Sequence, residues 1–163
     1  MLSVHLITKS MEELVRIHED LLTVSKEKTK AVKEGSLDPL QVLLVKERKL
    51  IQLSEQTERN RQEAVETWCK ANHHSAEGAT ITNILHKVED EAEQAHLESN
   101  AIKLTELITE LKQQEQLNHV LISQSMQFVQ LSLDLMSPTL KNMNYGVNKD
   151  TETSNRSVFD SKA

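Results

Sequence analysis

Residues that interrupt helices are scarce in this chain: 3 Gly and 2 Pro in 163 positions. They stand at Gly35 with Pro39, at Gly78, at Pro138 and at Gly146. A backbone reverses direction most cheaply where Gly or Pro lets it leave the helical region. So few breakers dictate long elements, and their placement cuts the sequence into three helical blocks and a tail. A sandwich or barrel is disfavoured on the same ground, since it needs frequent turns and many aromatic side chains. This chain has one Trp, one Tyr and two Phe.

Hydrophobic spacing gives the helices their faces. Ile7, Met11, Leu14, Ile17, Leu21, Val24 and Ala31 recur at steps of three and four, which gathers them on one side of a helix over about residues 3–33. Gly35 supplies the stop, and Lys28, Lys30 and Lys33 lie where positive charge suits the last carbonyls. Asp38 followed by Pro39 reads as an N-cap and first helical residue, opening a second helix over 38–72. Its stripe is Leu40, Leu43, Leu44, Leu50 and Ile51. The stripe thins through Thr57 and Arg61 and resumes at Ala64, Val65 and Trp68, with Trp68 read as core. Thr80 caps a short helix over 80–88 carrying Ile81, Ile84, Leu85 and Val88. A long final helix over 91–136 follows, stopped by Ser137-Pro138.

The expected fold is all-α: an elongated antiparallel helical hairpin, or three-helix coiled-coil bundle, with a short extra helix and a disordered C-terminal tail. Its domains are a bundle over 1–138 and a flexible polar tail over 139–163, where apolar residues are too few to form a core.

Charge and composition remove several function classes. A net charge of −6 with no basic stripe argues against nucleic acid. The longest apolar run, Val42 to Val45, is far too short to insert in a membrane. The start has no secretory pattern, and the lone Cys69 cannot form an internal disulfide, so a cytoplasmic protein is expected. Glu93 and His96 have the Glu-x-x-His spacing of di-iron bundles, but no second pair accompanies them. Cys69, His73 and His74 straddle a helix end and make a poor zinc site. No phosphate loop, nucleophile elbow or acid–base pair is present. No enzyme, metal or cofactor is expected.

The informative segment is 117–136, which has more apolar residues than one buried stripe uses. Leu117, Leu121, Phe128, Leu131 and Leu135 continue the bundle seam. A second set, Ile122, Met126, Val129, Leu133 and Met136, repeats at steps of four, three, four and three, about 100° around the helix from its neighbours in the first set. One face serves the bundle and the other is left for another chain to cover. Alternatively, the first two helices cover both faces, or two copies cover each other, giving a self-associating structural coiled-coil protein without a client.

In its order of parts the chain resembles the FlgN family of flagellar type III export chaperones. The matching features are a helical hairpin, a Trp near the end of helix two, Leu117-Asn118 in a long last helix, and Asn144-Tyr145-Gly146 in a polar tail. The terminal Ser157-Val158-Phe159-Asp160-Ser161-Lys162 is similar to the end motif of Gram-positive members. The resemblance implies a non-enzymatic cytoplasmic chaperone that binds the C-terminal helical segments of the hook–filament junction proteins. It would keep them from assembling early and deliver them to the export gate. Carried over residue by residue, it implies cargo binding through Ile122, Met126, Phe128, Val129, Leu133 and Met136. It also implies docking on the cytoplasmic domain of the export gate through Tyr145 and Gly146.

Overall fold

A computed structural model describes the backbone of residues 3–147 and the side chains of residues 3–136. It contains four helices and, among the described residues, no strand: α1 (His5–Glu34), α2 (Leu37–Ala71), α3 (Ile81–Leu85) and α4 (Glu91–Val147). The chain divides into two units, Met1–Leu121 and Ile122–Ala163. The boundary expected after residue 138 therefore has a counterpart earlier, inside α4.

Local chemistry sets the helix ends. Gly35 adopts the left-handed conformation at φ 67°, which spares it the strain a Cβ would bring. From there its N–H reaches the Val32 carbonyl and the Ser36 N–H reaches Ala31, closing α1 with a Schellman pair. The α2 start differs from expectation. Ser36 occupies the N-cap, and Asp38 and Pro39 lie inside the first turn. Both still suit that turn, because a carboxylate favours the helix N-terminus and proline lacks an N–H that has no partner there. Thr80 caps α3 by accepting from the Asn83 N–H at 3.2 Å, and Asp90 caps α4 by accepting from Glu93 at 2.8 Å.

In the first unit α1 is the central element. Four heptad rows of its side chains are buried, represented by Ile7, Thr8, Met11 and Ile17. They span about 160° of the helix, against roughly 100° for an ordinary one-sided stripe. The extra width serves two neighbours. α2 returns antiparallel along one side, and the first part of α4 runs parallel to α1 along the other. The parallel direction is fixed by contacts whose numbers rise together: Glu12 with His96 at 2.7 Å, Glu19 with Lys103 at 2.8 Å, and Thr29 with Asn118. At the end holding the α1 N-terminus lies the apolar core. Val4, Ile7, Met11 and Leu14 meet Val65, Trp68 and Cys69 of α2, Ile84 of α3 and Leu97 of α4. Each large side chain in it contributes about 1.5–3 kcal/mol by leaving water.

The opposite end is held by polar groups. Lys28, 5% exposed, reaches Glu47 of α2 at 2.6 Å and Glu115 of α4 at 3.0 Å. Ser25 donates to Glu115 at 2.7 Å. Asn118, 1% exposed, donates to the Ser25 carbonyl at 2.9 Å and accepts from Thr29. This overturns two expectations. Lys28 does not serve the α1 terminus, where Lys33 stands. The α4 seam turns inward at Asn118 rather than Leu117, which is 43% exposed. Heptad steps from Leu97 through Leu104 and Leu111 reach residue 118, and a pattern built from apolar residues alone passes over it.

Two further corrections concern α2 and α4. Leu44 and Ile51 are exposed, while Thr57, in the stretch that read as thin, is buried. α4 passes through Pro138 to Val147 instead of stopping at Ser137-Pro138. A proline removes one backbone hydrogen bond, that of the Asp134 carbonyl, and at an exposed residue water can take its place. Residues 139–147 are thus helix, and the remainder of the expected tail lies outside the described residues.

Burial opposes the Lys28 charge, but hydrogen bonds to Glu47 and Glu115 outweigh it and raise the ammonium pKa above 10.5. The stabilisation is therefore complete below pH 10.5 and is lost as pH rises through the higher folded-state value. Lys28→Met should lower the unfolding free energy by about 1–3 kcal/mol at pH 7, read by urea titration, since it leaves two carboxylates without their cation. The same variant should lose this part of the alkaline stability decline.

Candidate functional site

The segment 122–136 has one charged residue, Asp134, and eight large apolar ones. With so few charges, its character is set by where the apolar side chains lie. Ile122, Met126, Val129, Leu133 and Met136 fall within an arc of about 80°, by the 100° turn per residue. All five are exposed, from 39% at Ile122 to 68% at Met126. The sequence reading of this stripe as an uncovered face agrees with the geometry.

The first stripe departs from expectation. Phe128 and Leu135 are each 71% exposed and Leu131 57% exposed, so they do not continue a buried seam. Only Leu121, the last residue of the first unit, is half-buried. Residues 122–136 therefore present two apolar faces to solvent. Leu131 and Leu135 join the candidate surface, although their spacing predicts a place in the core. Their spacing is that of a seam, and spacing does not say whether a partner helix is present to meet it.

Polar side chains between the stripes stay local. Ser132 donates to the Phe128 carbonyl at 2.9 Å, and Gln130 donates to Asp134 at 3.1 Å. Contiguous exposed apolar area on this scale is uncommon on a folded surface and makes residues 122–136 the candidate site. Met126 and Met136 suit such a surface, because an unbranched thioether repacks against differently shaped partners. Tyr145 and Gly146 lie in the last turn of α4, where the backbone is helical and not the polar tail expected. The Tyr145 side chain and the Val158-Phe159 pair lie outside the described residues.

The remaining candidate groups are engaged structurally. Glu93 accepts from Ser3, and His96 pairs with Glu12, so both turn toward the α1 side and not toward each other. Cys69 is buried in the core, and the His74 ring lies 5.5 Å from the Trp68 ring. Among the described residues no cluster of His, Cys, Asp or Glu forms a metal site, and no helix is long and apolar enough to cross a membrane.

Comparison with known proteins decides the family. Residues 1–153 match the family described as FlgN protein. The chain belongs to the FlgN family. A full-length relative, the Bacillus subtilis (strain 168) protein YvyG, described as uncharacterized, is 32% identical over 165 residues covering 99% of this chain and 100% of its own. No solved structure matches. FlgN proteins are flagellar export chaperones and not enzymes, and this FlgN chain takes that general role.

Because these side chains are exposed, charging them should leave the helix standing. The double variant Val129→Asp, Leu133→Asp should change the unfolding midpoint by less than about 1 kcal/mol equivalent and leave far-UV ellipticity unaltered. Leu97→Asp, at a fully buried position, should unfold the first unit in the same assay.

Proposed function

We propose that this FlgN chain is a cytoplasmic chaperone that holds the C-terminal helical segments of hook–filament junction proteins on residues 122–136. Capping those segments keeps the clients from assembling before export. The observation that carries the reading is the pair of uncovered apolar faces between Ile122 and Met136. A client's amphipathic helix laid against either face completes a helical bundle, which is recognition of the helix-in-groove kind. Within that surface Ile122, Met126, Phe128, Val129, Leu133 and Met136 make the client contacts. Each buried side chain contributes roughly 1.5–3 kcal/mol gross, and ordering and association costs are subtracted from the sum.

Delivery to the export gate falls to a separate site at Tyr145 and Gly146. An isolated aromatic side chain suits insertion in a pocket, and the neighbouring Gly lets the two backbones approach closely. Separation of the sites lets one chaperone hold its client and touch the gate at once.

Hydrogen exchange tests the reading. Adding a junction-protein C-terminal helix should slow exchange across 117–136 in the wild type and leave the Val129→Asp, Leu133→Asp variant unchanged. Full protection without client, together with a constitutive dimer by light scattering, would assign these faces to self-association instead. Tyr145→Ala should bind client as the wild type does while losing affinity for the gate's cytoplasmic domain. Parallel loss of both interactions would sink the two-site arrangement.

A further inference from the structure

A concave surface lies wholly within the first unit and includes none of residues 122–136. It is a groove of about 790 Å³ between α2, α3 and α4. Met11, Leu85 and Leu104 contribute apolar lining, and the small side chain of Ala101 leaves room between the helices. Ile102 and Ile108 are also on the lining, 54% and 46% exposed. Large aliphatic residues in that state are under-used as core and available to a partner.

The charges along the groove are unbalanced. Arg61, its one Lys or Arg, donates to Glu58 at 2.8 and 2.6 Å. That pairing holds the Glu58 carboxyl below the usual carboxylate range and spends the guanidinium within α2. Glu98 and Glu106, on the α4 side, enter no ion pair among the described residues. With Ile102 between them they stand at steps of four along α4, about 12 Å from end to end. The nearby Lys103 does not neutralise them, because its ammonium is held by Glu19 of α1 at 2.8 Å.

We infer that this groove docks a basic amphipathic helix of a partner protein, two to three turns long, through a site separate from the client-binding face. An apolar stripe at i, i+3, i+4 and i+7 meets Leu104, Ile102 and Ile108, and Lys or Arg residues flanking that stripe meet Glu98 and Glu106. Rim charges of this kind select partners and steer encounter more than they add affinity. An acidic helix is repelled by the same pair.

The test uses the full chain and two fluorescent helical peptides of 17 residues. They share one leucine stripe and differ only in flanking residues, Lys in one and Glu in the other. Anisotropy should report the Lys peptide binding about tenfold more tightly than the Glu peptide, with the preference shrinking as salt rises. Glu98→Lys with Glu106→Lys, both at exposed positions, should reverse the preference. Val129→Asp with Leu133→Asp should leave it intact. Retained preference in the charge-reversed variant, or its loss in the Val129/Leu133 variant, overturns the inference by moving the peptide to the other surface. Absence of binding by either peptide overturns it as well. So does affinity that falls as a dimer forms with rising protein concentration, since a second copy then fills the groove. Neither result bears on client binding, which is read separately by hydrogen exchange at 117–136.

Discussion

The first unit depends on α1 being buried on two sides at once. A helix with one apolar stripe organises one partner, and two such helices make a hairpin. Here Ile17, Val24 and Ala31 extend the buried surface one way and Thr8, Val15, Leu22 and Thr29 extend it the other. α2 and α4 can therefore pack on the same helix, and α3 closes the end where Trp68, Ile84 and Leu97 converge. Removing that two-sidedness would leave α4 with nothing to align it.

Two kinds of chemistry share the work along α1. The end near Trp68 is dry and supplies the cohesive energy of burial. The end near Lys28 is polar, and its groups bind α2 and α4 to α1 through directed hydrogen bonds. A buried ion pair with its hydrogen-bonded neighbours contributes little net stability relative to apolar packing of similar volume. What it supplies in this fold is register. A shift of α4 by one turn would bring Asn118 away from Ser25 and Thr29 and leave buried polar groups without partners.

Residues 122–136 follow the opposite design. They carry eight large apolar side chains, all of them exposed, and one charge is all that relieves it. For an export chaperone this division has a simple physical use. One unit is stable without a client because its helices satisfy one another, and the other offers surface that gains from being covered.

The sequence by itself determined the helices, because helix length follows from how rarely Gly and Pro occur and helix faces follow from a period of 3.6 residues. Gly35, Thr80 and Trp68 were legible for the same local reasons. The family resemblance was legible too, from short motifs distributed along the chain. What only the tertiary structure decided is which faces meet. Lys28, Thr57 and Asn118 are buried although their side chains are polar, because partners from other helices satisfy or enclose them, and a one-dimensional pattern carries no record of those partners. Phe128, Leu131 and Leu135 are exposed although their spacing is that of a seam. Periodicity reports that a face is apolar; whether another helix lies against it is a property of three-dimensional packing.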